Sequence, residues 1–110
     1  MGMFNTVSAK LKCPACGLAV TVPVQFKFGC TWQLHYEVGN VLAWGGNDKG
    51  ERGKRRVVVD GVVAGRCPKC LCDDEWDVYV YIENDKIVHA ENATGEFDFV
   101  RSASNYIVLE

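Results

Sequence analysis

Residues 78–90 of this chain read VYVYIENDKIVHA, and this stretch decides the fold class. Its first half alternates aliphatic residues with tyrosine as far as Ile82, and a second apolar run begins at Ile87. Alternation with a period of two is typical of a half-buried β-strand, and the polar residues 83–86 have the composition of a tight turn. The stretch therefore predicts a β-hairpin.

The same alternation recurs on both sides of this hairpin. It covers residues 4–12, 18–28 and 32–38, and further strand-like apolar stretches follow at residues 41–44, 57–64, 97–99 and 106–109, with Gly, Asn or Asp between most of them. Only residues 70–76 and 101–106 are compatible with a helical period. We therefore predict an all-β fold with little helix, a small antiparallel and barrel-like sheet, in which residues 1–110 form a single domain.

Two positions inside these runs make more specific predictions. Asp60-Gly61 is a strong hairpin-turn signal, so residues 57–64 form either two short strands joined by a turn or one bent strand. Pro23 has no backbone N–H to donate, so the strand through residues 18–28 is predicted to lie at an edge of the sheet or to be bulged there.

Four of the six cysteines form two short pairs, CPAC at residues 13–16 and CPKC at residues 67–70. A thiol pair at this spacing can hold a metal ion from one side, and two pairs complete the tetrahedral thiolate shell that Zn²⁺ prefers. The chain has neither a secretory leader pattern nor an apolar run long enough to span a membrane. We therefore predict a cytoplasmic protein with reduced thiols and no membrane association.

The two pairs resemble the knuckles of the zinc-ribbon class, in which each knuckle is the turn of a β-hairpin. The resemblance is confined to these two runs. It implies a structural Zn²⁺ as cofactor, and the ligands that it implies are Cys13, Cys16, Cys67 and Cys70.

Residues next to the knuckles refine this prediction. Gly17 follows the first knuckle, where a positive φ would let the turn close. Leu71 follows the second knuckle in place of the usual glycine, which leaves Cys72 as an alternative ligand to Cys70. Fifty residues separate Cys16 from Cys67, so residues 18–64 are predicted to form a β insertion that folds back to close the site.

Other chemistries remain open for the same cysteines. A four-thiolate shell also suits iron of the rubredoxin type, and CxxC pairs also occur in redox and metal-transfer proteins. A closed four-thiolate site has no open position for catalysis. The chain contains no catalytic or nucleotide-binding motif, and His35 and His89 have no partner at metal-ligand or triad spacing. We therefore predict that the protein is not an enzyme.

Charge is unevenly distributed along the chain. Residues 1–70 contain ten Lys and Arg against four Asp and Glu, whereas residues 71–110 contain two against ten. Such asymmetry can mark a charged partner, although two oppositely charged halves can also lie side by side and offset each other.

Two segments are therefore candidates for partner binding. A basic loop at residues 45–56, next to Trp44, combines charge with an aromatic ring, as nucleic-acid binders do. An acidic segment next to Trp76 would attract a basic protein. The candidate residues are Trp44, Lys49, Arg52, Lys54, Arg55 and Arg56 in the first segment, and Asp73, Asp74, Glu75 and Trp76 in the second.

These observations favour a non-enzymatic, zinc-stabilised β module that binds another protein, as an adaptor or as an inhibitor of the immunity-protein kind. The tryptophans and tyrosines are suitable for an interface hot spot, although strand aromatics also commonly form a core. One alternative is a nucleic-acid-binding zinc ribbon that uses residues 44–56. The other is a redox or metal-transfer protein.

Overall fold

The computed structural model describes residues 4–13, 16–31, 33–45, 48–50, 52–63, 76–97 and 106–109, with the backbone alone at residues 48 and 49. No helix occurs in these ranges, which confirms the predicted all-β class. The strands are β1 (Asn5–Lys12), β2 (Ala19–Phe26), β3 (Gly29–Cys30), β4 (His35–Glu37), β5 (Asp48–Lys49), β6 (Val57–Val63), β7 (Trp76–Glu83), β8 (Lys86–Asn92) and β9 (Tyr106–Val108).

One large sheet contains seven of these strands in the order β4-β1-β2-β6-β7-β8, with β9 beside β6. Neighbouring strands are antiparallel except β1 and β4, which are parallel. β2 and β9 share one edge of β6, because β2 pairs with residues 61–63 and β9 with residues 57–59. β3 and β5 form a separate two-stranded sheet.

The large sheet curls into a half-barrel, and its two sides are linked at both ends of β8. At the start of β8, Ile87 exchanges backbone hydrogen bonds with the loop that follows β4, through Gly39 and Asn40. At the end of β8, the side chain of Asn92 donates to the carbonyl of Lys12 at the end of β1. The edges of the curled sheet are therefore held by specific bonds.

The interior of the half-barrel is apolar. Residues of β1 and β2 alternate between buried and more exposed positions, as the period of two predicts, and residues 59–63 of β6 do the same. Burial of these side chains is the main stabilising contribution to the fold. The core includes Val7, Ala9, Leu11, Val20, Val22, Val24, Phe26, Val57, Val59, Val63, Val78, Val80, Ile82 and Ile87.

Asp60-Gly61 does not form the predicted hairpin turn. β6 runs without interruption from Val57 to Val63 and pairs with β7 along its whole length, so the alternative of one strand is confirmed. Gly61 instead allows the side chains of the neighbouring strands to pack closely against the backbone of β6. A Cβ atom at Gly61 would lie 2.8 Å from Cγ1 of Val24 and 3.2 Å from Cγ2 of Val80.

The chain between β3 and β5 contains less strand than its alternation predicts. Among the described residues of the strand predicted at 32–38, only His35–Glu37 pairs, and within residues 41–44 only Val41 forms an isolated bridge, with Lys86. The backbone of this segment is instead used to link the two sides of the half-barrel.

The prediction that the strand of Pro23 lies at an edge of the sheet or is bulged is wrong, because β2 lies between β1 and β6 and its register with β1 is unbroken at Pro23. The pairing of β2 with β6 begins at Val24, so among the described residues Pro23 has a neighbouring strand only on the β1 side. β2 and β6, both within the predicted insertion 18–64, are central strands of the sheet.

Candidate functional site

The first cysteine pair lies at the tip of the β1–β2 hairpin. Two backbone hydrogen bonds close the turn, from the Gly17 N–H to the Cys13 carbonyl (2.8 Å) and from the Cys13 N–H to the Leu18 carbonyl (3.0 Å). Gly17 has a φ of 72°, in the left-handed region that favours glycine. The positive φ expected at Gly17 is therefore confirmed, and Cys13 and Cys16 lie at the turn of a hairpin.

The cysteines of this knuckle face the core. Cys13 is only 1% exposed, and Cys16 is partly buried against the same cluster. Cys67, Cys70 and the alternative ligand Cys72 lie outside the described residues. Within the part of the chain that the structure describes, no group of three or more His, Cys, Asp or Glu side chains is placed to hold a metal ion.

Asn92 joins the two chain segments that flank the cysteine pairs. Its Nδ2 donates to the Lys12 carbonyl (2.6 Å), one residue before Cys13. Its Oδ1 accepts a hydrogen bond from Nε1 of Trp76 (2.9 Å), the first described residue after the second pair. One side chain thus holds the segment that enters the first pair beside the segment that leaves the second.

The basic loop is anchored to the β7–β8 turn. Gly53 donates its N–H to Oδ1 of Asp85 (2.9 Å), and the Asn84 N–H lies 3.2 Å from the carbonyls of both Lys54 and Arg55. Asn84 and Asp85 have φ values of 51° and 66°, as a type I′ hairpin turn requires. The exposed basic side chains of the loop are Arg52, Arg55 and Arg56.

Trp44, expected to act with the basic loop, packs against the core. Its ring meets Phe28 edge to face at a centroid distance of 5.5 Å, and Phe28 meets Tyr106 in the same way at 5.3 Å. Nε1 of Trp44 is buried and has no hydrogen-bond partner among the described residues. This packing favours a structural role for Trp44. For Lys49 only the backbone, paired in β5, is described.

Among the described residues, the outer face of β6, β7 and β8 carries four acidic residues, Asp60, Asp77, Glu83 and Glu91. Asp60 is paired across the strands with Tyr79, and Tyr79 with Glu91. Glu83 and Asp77 lie on the same side of β7 as Tyr79. We call this surface the acidic face; it comprises Asp60, Asp77, Tyr79, Tyr81, Glu83, His89 and Glu91. The predicted acidic residues Asp73, Asp74 and Glu75 lie outside the described ranges.

Tyr79 forms the middle of the acidic face and is only 2% exposed. Its hydroxyl accepts hydrogen bonds from the N–H groups of Gly95 (3.0 Å) and Phe97 (3.2 Å). Its ring packs on Phe97 at a centroid distance of 5.1 Å. The segment after β8 therefore covers Tyr79 and leaves a groove on either side along β7.

The first groove has a volume of about 340 Å³ and centres on Tyr81. The Tyr81 hydroxyl donates to Glu91 (2.8 Å), and the His89 ring stacks on Tyr81 with centroids 5.8 Å apart. Partial burial, and then the hydrogen bond to the Glu91 carboxylate, raise the pKa of Tyr81 to about 12. Tyr81 is thus a neutral hydrogen-bond donor that holds Glu91. Arg56 of the basic loop also lines this groove.

The second groove, which we call the Asp60 groove, has a volume of about 320 Å³. Neither Asp60 nor Asp77 has a cationic group within ion-pair distance among the described residues. Partial burial, and secondly the negative charge of Asp77, raise the pKa of the Asp60 carboxyl above its usual range. The groove is lined by Phe4, Gln25, Phe26, Lys27, Asp60, Gly61, Val62 and Asp77.

The His35 side chain lies within hydrogen-bond distance of two hydroxyl groups on the neighbouring strand β1. Its Nδ1 lies 2.7 Å from the Thr6 hydroxyl and its Nε2 lies 3.0 Å from the Ser8 hydroxyl. Both ring nitrogens are therefore engaged with β1, and the side chain ties β4 to its parallel neighbour.

Sequence reasoning did not identify Asp60, Phe4 or Asn92 as site residues. Asp60-Gly61 suits either a turn or one bent strand, and the unbroken apolar runs at residues 57–59 and 62–63 show no alternation that would assign Asp60 to the polar face of a strand. The roles of Phe4 and Asn92 depend on contacts between distant strands, which have no local sequence signal.

Comparisons with protein-family models, curated proteins and solved structures found no match to this chain. In the described ranges, no helix has the length and apolar character needed to cross a membrane. A functional proposal therefore depends on the residues of the chain itself.

Proposed function

We propose that this protein is a zinc-stabilised β domain of the cytoplasm that has no catalytic role and binds a basic partner protein, as an adaptor or an inhibitor of the immunity-protein kind. The acidic face carries the proposal. Asp77 and Glu83 are exposed there, beside partly buried Tyr81, on a sheet with a well-packed opposite side. A surface of one charge accelerates encounter with an opposite one, and tyrosine is enriched in interface hot spots.

Zinc is proposed as the structural cofactor, with Cys13, Cys16, Cys67 and Cys70 as its ligands. The bonds of Asn92 to Lys12 and Trp76 support this assignment, since they bring together the flanks of both pairs. Four residues lead from Val63 to Cys67 and six from Cys70 to Trp76, so the chain can span roughly 14 Å and 21 Å at these two places. Bound zinc would add its binding free energy to that of folding.

Metal analysis of protein purified under reducing conditions tests the cofactor. We expect one zinc per chain, lost in Cys13→Ser and Cys67→Ser and retained in the matched control Cys30→Ala, whose residue is not a proposed ligand. Iron in place of zinc would establish the rubredoxin-type alternative. A chain that folds without any metal, or that forms a titratable disulfide from these cysteines, would contradict the proposal and favour a redox role.

Affinity capture of the full chain from its native host tests the binding function. We expect a protein partner that survives nuclease treatment, can be identified, and forms the complex again from purified components. Association should slow as salt concentration rises, because the encounter is electrostatically steered. Failure to reconstitute any protein complex would contradict the proposal.

The exposure of Arg52, Arg55 and Arg56 keeps nucleic-acid binding as the second candidate function. If it is correct, RNA or DNA is retained at low salt, and replacing all three arginines with alanine abolishes retention and flattens its salt dependence. No retention at low salt would eliminate this candidate.

A further inference from the structure

The two grooves of the acidic face differ in whether their carboxylates have hydrogen-bond or ion-pair partners within the described part of the protein. In the first groove, Glu91 accepts a hydrogen bond from Tyr81, His89 lies 3.4 Å from the same carboxylate, and Arg56 contributes a positive charge. In the Asp60 groove, two carboxylates lie close enough to raise the pKa of one of them, and neither is ion-paired within the described residues. Lys27 is the one cationic side chain among the described residues that line the Asp60 groove, and it forms no ion pair with either aspartate, so both carboxylates there are open to a cation from outside.

The lining of the Asp60 groove combines this negative charge with apolar surface. Phe4, which precedes β1, and Val62 of β6 supply partly buried apolar side chains, and Asp60 and Asp77 supply the carboxylates. A side chain with an aliphatic stem and a cationic head matches such a combination, because the stem packs on apolar groups while the head meets the carboxylates.

Ionisation of Asp60 is also unfavourable in the isolated protein. A carboxyl whose pKa is raised by folding is held less favourably in its ionised form than in the unfolded chain. A cation from outside would relieve both causes of this shift, because it would offset the burial of Asp60 and the repulsion by Asp77. Functional sites often contain a charged group that is unfavourable in the free protein and is stabilised when a ligand binds.

We propose that the Asp60 groove receives an arginine side chain from the partner protein, with the guanidinium between Asp60 and Asp77 and the stem against Phe4. Arginine is favoured over lysine because its planar fork of donors can bond two carboxylate groups at once. The inference deepens the proposed function and rests on it, since it names the side chain that the acidic face recognises.

Lys27 allows a second test of whether charge controls the affinity of the groove for arginine. It lines the groove but lies beyond ion-pair distance of both aspartates. Its ammonium group would repel an incoming guanidinium. Replacing Lys27 with glutamine should therefore tighten arginine binding, whereas replacing either aspartate with asparagine should weaken it.

A titration followed by amide NMR tests the proposal with a defined probe. The probe is the blocked peptide acetyl-Gly-Arg-Gly-amide, and its control carries citrulline, the neutral isostere of arginine. We expect the arginine peptide to shift the amide signals of residues 25–27, 60–62 and 77, and the citrulline peptide to leave them in place. Asp60→Asn and Asp77→Asn should each weaken binding about tenfold, the usual effect of one charge-assisted hydrogen bond.

The matched control variant is Glu37→Gln, which removes an exposed carboxylate of β4 outside the groove and should leave affinity unchanged. Loss of binding through misfolding is excluded for Asp60→Asn if its unfolding free energy is not lower than that of the wild type. Equal shifts with the citrulline peptide, or unchanged affinity in both aspartate variants, would overturn the proposal.

The same variants separate this inference from the proposed function. If the reconstituted partner complex keeps its affinity in the double variant Asp60→Asn/Asp77→Asn, the groove assignment is wrong and the binding function stands. If no protein partner exists but the arginine peptide binds as expected, the groove assignment is supported and the proposed function is not.

Discussion

Asp60 is a residue whose ionisation is less favourable in the folded protein than in the unfolded chain. It lies on a strand, partly buried, with Asp77 on the same face, and its pKa is raised by burial first and by Asp77 second. The protonated carboxyl is therefore favoured in the folded state. Its contribution to stability is complete below the unfolded pKa and is lost as the pH rises through the folded pKa.

Asp60→Asn should accordingly raise the unfolding free energy at neutral pH, and this gain should vanish at about pH 3 and below, where aspartate is largely protonated in both states. Urea denaturation at a series of pH values measures the effect, with Glu37→Gln as the control for loss of an exposed carboxylate. A pH-independent difference between wild type and Asp60→Asn would show that burial and repulsion of the charge are not its cause.

At Tyr81 a carboxylate stabilises its neighbour: Glu91 accepts the hydrogen bond of the phenol and keeps the phenol neutral. Glu91→Gln should lower the pKa of Tyr81 from about 12 toward 10, because it removes the charged acceptor and the charge that disfavours tyrosinate, while partial burial remains. The difference between the tyrosinate absorbance titrations of each protein and its Tyr81→Phe counterpart measures this shift.

The control for the Tyr81 prediction is Glu83→Gln, which removes a groove carboxylate that makes no bond to the phenol. By linkage, Tyr81 contributes stability below about pH 10 that is lost as the pH rises through about 12. An unchanged pKa in Glu91→Gln would contradict the importance of this hydrogen bond.

At the scale of the strands, β6 depends on a glycine because three strands meet around it. A Cβ at Gly61 would lie 2.8 Å from Val24 on β2 and 3.2 Å from Val80 on β7. Gly61→Ala should therefore lower the unfolding free energy by about 1–3 kcal/mol through overpacking. Denaturant titration measures the change.

A double-mutant cycle identifies the cause at Gly61. Val24→Ala creates space next to the new methyl group, so Gly61→Ala should cost less in that background than in the wild type. Equal costs in the two backgrounds would indicate a backbone effect of the substitution rather than a collision.

Local alternation predicted the long strands of the sheet and failed where pairing depends on distant partners. Residues 5–12, 19–26 and 76–92 have the predicted strand character because each has its own period of two. β4 is shorter than predicted, and β3 and β5 each have two residues, since their extent is set by tertiary contacts. Asp60-Gly61 misled because the same dipeptide suits a turn and a crowded strand.

In the candidate site, too, the features set by local sequence were predictable and those set by distant strands were not. The turn at the first knuckle and its glycine follow from residues 13–17 alone, because the geometry is local. The acidic face required knowledge of cross-strand register, which places Asp60 of β6 near Asp77 of β7. The link made by Asn92 joins residues eighty positions apart and has no local signal.

For the molecule as a whole, one of the hydrogen bonds that close the half-barrel also lies next to the first pair of the proposed cysteine site. β8 connects to the loop after β4 at one end and, through Asn92, to β1 and Trp76 at the other. The second link lies beside the first knuckle. Curling of the sheet therefore determines how close the flanks of the two cysteine pairs come.

Asn92→Ala should lower zinc affinity about 10–100-fold, as the loss of groups that orient metal ligands typically does, although Asn92 is not itself a ligand. Competition with a chromophoric chelator measures the affinity. The matched control is Asn40→Ala, which removes the Asn40 Oδ1 bond to the Glu37 N–H near the opposite end of β8 and should change zinc affinity little. Equal losses in both variants would mean that zinc responds to general stability, and that the Asn92 link does not position the site.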